Sequence, residues 1–118
     1  MNTVRTTRTL LTITIVFVAL MATSRPAAAQ GDAKKGEQVY AAQKCSVCHS
    51  IAGKGGKSSP LDGVGAKISA DETRQWMTNP KEMATKTKSQ KKPPMPDRYS
   101  KLPAADIDAL VAYMQSLK

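Results

Sequence analysis

Apolar residues are unevenly spaced along the chain, and their spacing separates helical stretches from unpatterned ones. Ile107, Leu110, Val111 and Met114 recur at i, i+3, i+4 and i+7. That single stripe predicts a helix from about Pro103 or Ala104 to Ser116. Asp106 and Asp108 stand near its N-terminal end, where the helix dipole favours anions. Residues 71–80 predict a shorter helix opened by Ser69 and stopped by Asn79-Pro80, with Trp76 and Met77 as its apolar content. Asp32 suits the N-cap of a first helix reaching about Cys45, with Val39 and Tyr40 on the buried face. Gly36 costs that helix about 1 kcal/mol relative to alanine, so it requires a packing reason.

Three stretches lack such a pattern. Residues 50–65 are glycine-rich and aperiodic, and are expected to form a loop; a flexible linker is the lesser alternative on composition alone. Lys81 to Lys92 holds lysines at 81, 86, 88, 91 and 92, with only Glu82 to offset them. Such a run is either a plain solvated face or a docking face. At the N-terminus, Arg5 and Arg8 precede a mostly apolar stretch from Leu10 to Ala22, and Ala27-Ala28-Ala29 offers a small-residue cleavage site before Gln30. This is the form of a secretory signal peptide. The stretch is shorter than the roughly 20 residues that span a bilayer, so cleavage is favoured over retention as an anchor.

The expected organisation is therefore a cleaved leader, residues 1–29, and one domain, residues 30–118. A domain of that size buries only about 60–65% of its unfolded surface and usually depends on an added staple. Large apolar side chains are scarce: the sole phenylalanine, Phe17, belongs to the leader, leaving one tryptophan and three tyrosines. Losing Arg5, Arg8 and Arg25 takes the formal net charge from +9 to +6. An exported basic protein points to acidic partner proteins or anionic membrane surfaces. Nucleic acid is not expected, because no binding motif or aromatic interleaving accompanies the charge.

The chemistry concentrates in Cys45-Ser46-Val47-Cys48-His49, a C-x-x-C-H run, the attachment signature of a c-type haem. In a helical segment, positions 45, 48 and 49 stand at i, i+3 and i+4 and project from one side. Two thiols there can add to a porphyrin's vinyl groups while the imidazole offers a nitrogen to the iron. A dithiol oxidoreductase would instead call for a βαβ pattern around the pair. A zinc site would call for a fourth cysteine or histidine ligand. The chain has neither, and His49 is its only histidine, which excludes two-histidine ligation within one chain.

The run resembles the haem site of the class I cytochromes c, the monohaem, His/Met-ligated bacterial type, and the resemblance extends over nearly all of residues 31–118. Gly31 to Gly36 resembles the family's first helix, Pro93-Pro94-Met95-Pro96 its methionine-bearing loop, and residues 99–118 its closing helix. The resemblance implies an all-α fold, with about three to four helices wrapped around one covalently bound haem c held by Cys45 and Cys48. It implies close crossing of the first and last helices, Gly36 and Tyr40 meeting Leu110 and Tyr113. It also implies that the carbonyl of Pro60 accepts a hydrogen bond from the second nitrogen of His49. Trp76 would donate to a haem propionate, although a plain core tryptophan accounts for the residue equally well.

His49 is thus the first expected iron ligand, and Met95 the second. Proline on both sides stiffens its loop, and the resemblance points to the same residue. Met83, in what is expected to be a lysine-rich loop, is the next choice; Met77 and Met114 lie on predicted helices and are assigned to the core. The function implied is one-electron transfer between periplasmic redox partners by a soluble, monomeric, non-enzymatic carrier, membrane-associated if the leader is retained. Two other jobs remain open: an electron-accepting subunit of a dehydrogenase or oxidase, and a haem peroxidase if Met95 is not a ligand.

Overall fold

The computed structural model describes residues 28–118. The expected leader lies outside the described residues except for Ala28 and Ala29, the first two positions of the first helix. The elements in order are α1 (Ala28–Ala42), a 3-10 helix (Cys45–Val47), β1 (Ser50–Ile51), β2 (Lys54–Gly55), α2 (Val64–Lys67), α3 (Ala70–Thr78), α4 (Pro80–Lys86), a second 3-10 helix (Asp97–Lys101) and α5 (Ala104–Ser116). The fold is all-α with one two-residue hairpin. Among the described residues no helix is long and apolar enough to cross a membrane.

The stripe on α5 is the spine of the core. Ile107, Leu110, Val111 and Met114 are buried and cluster with Val39 of α1 and Met77 of α3. The expected close crossing of α1 and α5 is present, with Ala109 rather than Leu110 as the contact under Gly36. A Cβ at Gly36 would fall on the Ala109 carbonyl and lie 2.6 Å from the Tyr113 Cβ. Beside it, the rings of Tyr40 and Tyr113 meet edge-on, 5.8 Å apart at 70°, the geometry an aromatic quadrupole prefers.

Asp106 and Asp108 do more than complement the dipole of α5. Asp106 pairs with Lys35 of α1 at 2.9 Å, and Asp108 pairs with Arg74 of α3. The Gln115 side chain donates to the Ile68 carbonyl and to Thr73 Oγ1, both at 3.1 Å. Gly65 of α2 donates to the Leu117 carbonyl at 2.9 Å. The last helix is thereby tied to α1, α2 and α3.

Ser69 caps α3 as expected, in a reciprocal box: its hydroxyl accepts from the Glu72 N–H, and its N–H donates to the Glu72 carboxylate, each at 3.1 Å. Asn79-Pro80 does end α3, but the chain then begins another helix. Pro80 occupies the first turn of α4, where its missing N–H costs nothing.

Three expectations are corrected. Asp32 does not cap α1, because the helix-favouring alanines before it start the helix at Ala28. Residues 50–65 are neither linker nor plain loop: Ala52 and Gly53 turn through φ of 50° and 75°, closing β1 on β2, and the Ala52 N–H donates to Asp62 Oδ1 at 2.7 Å. Met83 is on a helix, and at 2% exposure it is a fully buried side chain.

Candidate functional site

The C-x-x-C-H segment follows directly from the end of α1. Lys44 adopts a left-handed φ of 55°, and the chain then makes one helical turn in which the Cys45 carbonyl accepts from the N–H groups of Cys48 at 3.2 Å and His49 at 3.0 Å. Those i+3 and i+4 bonds put Cys45, Cys48 and His49 on one side of the turn, as the spacing requires. All three line a single cavity of about 640 Å³.

The hairpin and the loop after it brace the turn from behind. Gly56 N–H donates to the Ser46 carbonyl at 2.7 Å, Ser59 N–H to the Cys48 carbonyl at 3.2 Å, and Leu61 N–H to the Ser50 carbonyl at 2.8 Å. A Cβ at Gly56 would strike the Val47 carbonyl, so the approach requires glycine there.

The imidazole of His49 is oriented by this loop, though not by the residue the resemblance implied. Its Nδ1 lies 2.9 Å from the Ser59 carbonyl, not that of Pro60. The reason is local. Proline has no N–H to bond to the turn, so Ser59 makes the backbone contact with Cys48, and its own carbonyl is then the one beside the ring. A carbonyl only accepts, so Nδ1 carries the proton and the lone pair is on Nε2, the tautomer that ligation through Nε2 requires.

The remaining expected site residues border the same cavity. Pro60, Trp76 and Met95 line the cavity with the three motif residues; Met83 does not. Met77 and Met114 also reach it, so core and site share side chains. Sequence reasoning missed Tyr99, Arg98 and Tyr40 as lining residues. Tyr99 is buried, and Arg98 lies over its ring, 4.9 Å from guanidinium carbon to centroid, while donating to its hydroxyl at 2.9 Å. The nearest signal in the sequence is their place directly after the Pro-Met-Pro loop. The five lysines of residues 81–92 are all exposed, but only Lys91 of them lines the cavity, joined by Lys44 and Arg98.

The electrostatics disfavour the thiolate form of Cys45. Burial pushes the Cys45 thiol up, and its backbone hydrogen bond and the Arg98 charge only partly offset that. A neutral thiol is a poor nucleophile and a poor zinc ligand. Among the described residues no group of three or more His, Cys, Asp or Glu side chains could hold a metal ion.

The arrangement fits a macrocycle instead. The volume lies within the roughly 300–1,000 Å³ of small-molecule and cofactor sites. Its walls are largely apolar, two thiols stand beside it, and an imidazole presents a free nitrogen to it. These features define a cavity of the kind that takes a porphyrin, with two thiols placed at its edge. The family model described as cytochrome c matches residues 33–118. The chain belongs to the cytochrome c family, whose members bind haem c and carry electrons. No curated protein and no solved structure matches the chain.

Proposed function

We propose that the chain holds one haem c and passes single electrons between partner proteins in the periplasm, exported there by its leader. The observation that carries this reading is that Cys45, Cys48, His49 and Met95 line one cavity while Ser59 holds the imidazole with Nε2 free. Cys45 and Cys48 would form the thioether links, and His49 Nε2 and the Met95 thioether would ligate the iron. Met77 and Met114 belong to α3 and α5 and are buried in the core cluster. Met95 is in the Pro93–Pro96 loop, outside any helix, and is only half-buried. The bound haem supplies a one-electron iron couple, with a potential raised by thioether ligation.

The chain's own part is burial, ligation and docking. The apolar walls formed by Leu61, Trp76, Met77 and Leu110 exclude water. Lys44, Lys91 and Arg98 give the rim a positive field for steering an acidic partner. Val47, 72% exposed, is the one large apolar side chain standing free among the described residues. A single such residue is not the extended patch of a permanent subunit, which favours a diffusing monomeric shuttle over a complex-bound one.

The test is the visible spectrum of the purified periplasmic protein, reduced and oxidised, before and after acid extraction of non-covalent haem. A c-type spectrum that survives extraction supports the reading; a colourless protein, or colour lost on extraction, overturns it.

A further inference from the structure

We propose that Tyr40 is a positioning residue for His49, acting through the histidine's main-chain carbonyl; this rests on His49 being the iron ligand. The Tyr40 hydroxyl donates to the His49 carbonyl across 3.2 Å. His49 is therefore held at two points, its ring by the Ser59 carbonyl and its backbone by a side chain from α1. The same carbonyl is crowded from the other side. A Cβ at Gly55 would land on its oxygen, so the hairpin closes over it only because that residue has none.

Tyr40 is itself fixed. Its ring stands edge-on to Tyr113, and the α1 backbone beneath is locked by Gly36 against Ala109. Packing explains the ring and not the hydroxyl: phenylalanine would keep the edge contact and the apolar wall. The hydroxyl is the part that reaches His49. It links the crossing of the first and last helices to the residue that faces the iron.

The hydroxyl also has an electrostatic sign. Its hydrogen, the positive end of the O–H dipole, points at the main-chain carbonyl of the ligand residue, and the oxidised site carries one more positive charge than the reduced one. The donor therefore disfavours oxidation. Tyr40→Phe is expected to shift the one-electron equilibrium toward the oxidised form by about twofold, within the reach of one neutral hydrogen bond. At 59 mV per tenfold that is a midpoint lowered by about 18 mV.

The experiment compares wild type, Tyr40→Phe and Tyr113→Phe as holoproteins by spectroelectrochemistry and thermal melting. Tyr113 shares the ring contact but does not line the central cavity. A lowered midpoint in Tyr40→Phe alone supports the proposal. Lowered melting temperatures with unchanged midpoints assign Tyr40 to packing and overturn it. Because His49 is the sole histidine, carbonyl-13C histidine labels that one group for infrared spectroscopy. Its band should rise in frequency in Tyr40→Phe, and an unmoved band overturns the proposal. If Tyr40→Phe does not fold, the wild-type band decides, lying in the hydrogen-bonded range if Tyr40 donates and in the free range if it does not. A colourless preparation overturns the haem reading and this inference with it; a coloured one whose midpoint and carbonyl band ignore Tyr40→Phe overturns this inference alone.

Discussion

The His49 imidazole and the Ser59 carbonyl stand 2.9 Å apart, and the acceptor is main chain, so the side chain at position 59 contributes nothing to the contact. Ser59→Ala should leave the midpoint potential unchanged and stability within about 0.5 kcal/mol of wild type. Ser59→Pro removes the N–H that donates to the Cys48 carbonyl and should cost about 1–3 kcal/mol by orphaning that acceptor. Denaturant unfolding of both variants separates the two roles.

Met95 and Met83 should fail in opposite ways. Met95→Ala removes the proposed second axial ligand and is expected to lower the midpoint by on the order of a tenth of a volt or more. Met83, 2% exposed and off the cavity, is packing. Met83→Ala should cost about 2–5 kcal/mol of stability while leaving the midpoint of the folded protein in place. Potentiometry and unfolding on both variants check this.

Two glycines test crowding against backbone strain. Gly36→Ala drives a methyl into the Ala109 carbonyl and should destabilise by about 1–3 kcal/mol, the usual range for overpacking. Gly53→Ala meets nothing within 4 Å, but φ there is +75°, so only a strain of about 1 kcal/mol is expected. Thermal or denaturant unfolding reads the difference.

The Tyr40 phenol is pushed up from 10.0 to about 12, by burial first and then by Cys45 and Tyr113. Burial, the largest cause, would remain if Cys45 formed the proposed thioether. The folded state thus holds this proton more tightly than the unfolded chain does. The stabilisation is fully present below pH 10 and is lost as pH rises through about 12. Stability measured against pH should fall less steeply across that window in Tyr40→Phe than in wild type.

The basic rim should act on rate more than on potential. Charge reversal at Lys91 or Lys44 is expected to slow electron transfer with an acidic redox partner, and to flatten its dependence on salt. Reversal at Lys81, on the far part of the lysine run and off the cavity, should do less. Stopped-flow rates across a range of ionic strength give the comparison.

Much of this molecule was legible in short-range patterns. The C-x-x-C-H spacing, the stripe on α5 and the Ser69 cap each involve residues within one or two helical turns, where covalent geometry alone dictates which side chains share a face. Other features carried no such pattern. Each strand of the hairpin is two residues long, too short for alternation to register. The lysines of α4 masked a helix whose apolar content is little more than Met83.

What the sequence determined by itself was the chemistry of the site: two thiols, one imidazole and a proline-flanked methionine, in a chain with no second histidine. Tertiary structure alone decided that Ser59 rather than Pro60 supplies the carbonyl, that Met83 is packed on a helix away from the cavity, and that Asp106 and Asp108 clamp α1 and α3. Those outcomes depend on how helices distant in sequence settle against one another. Local spacing constrains a face, but only packing selects the partner that face meets.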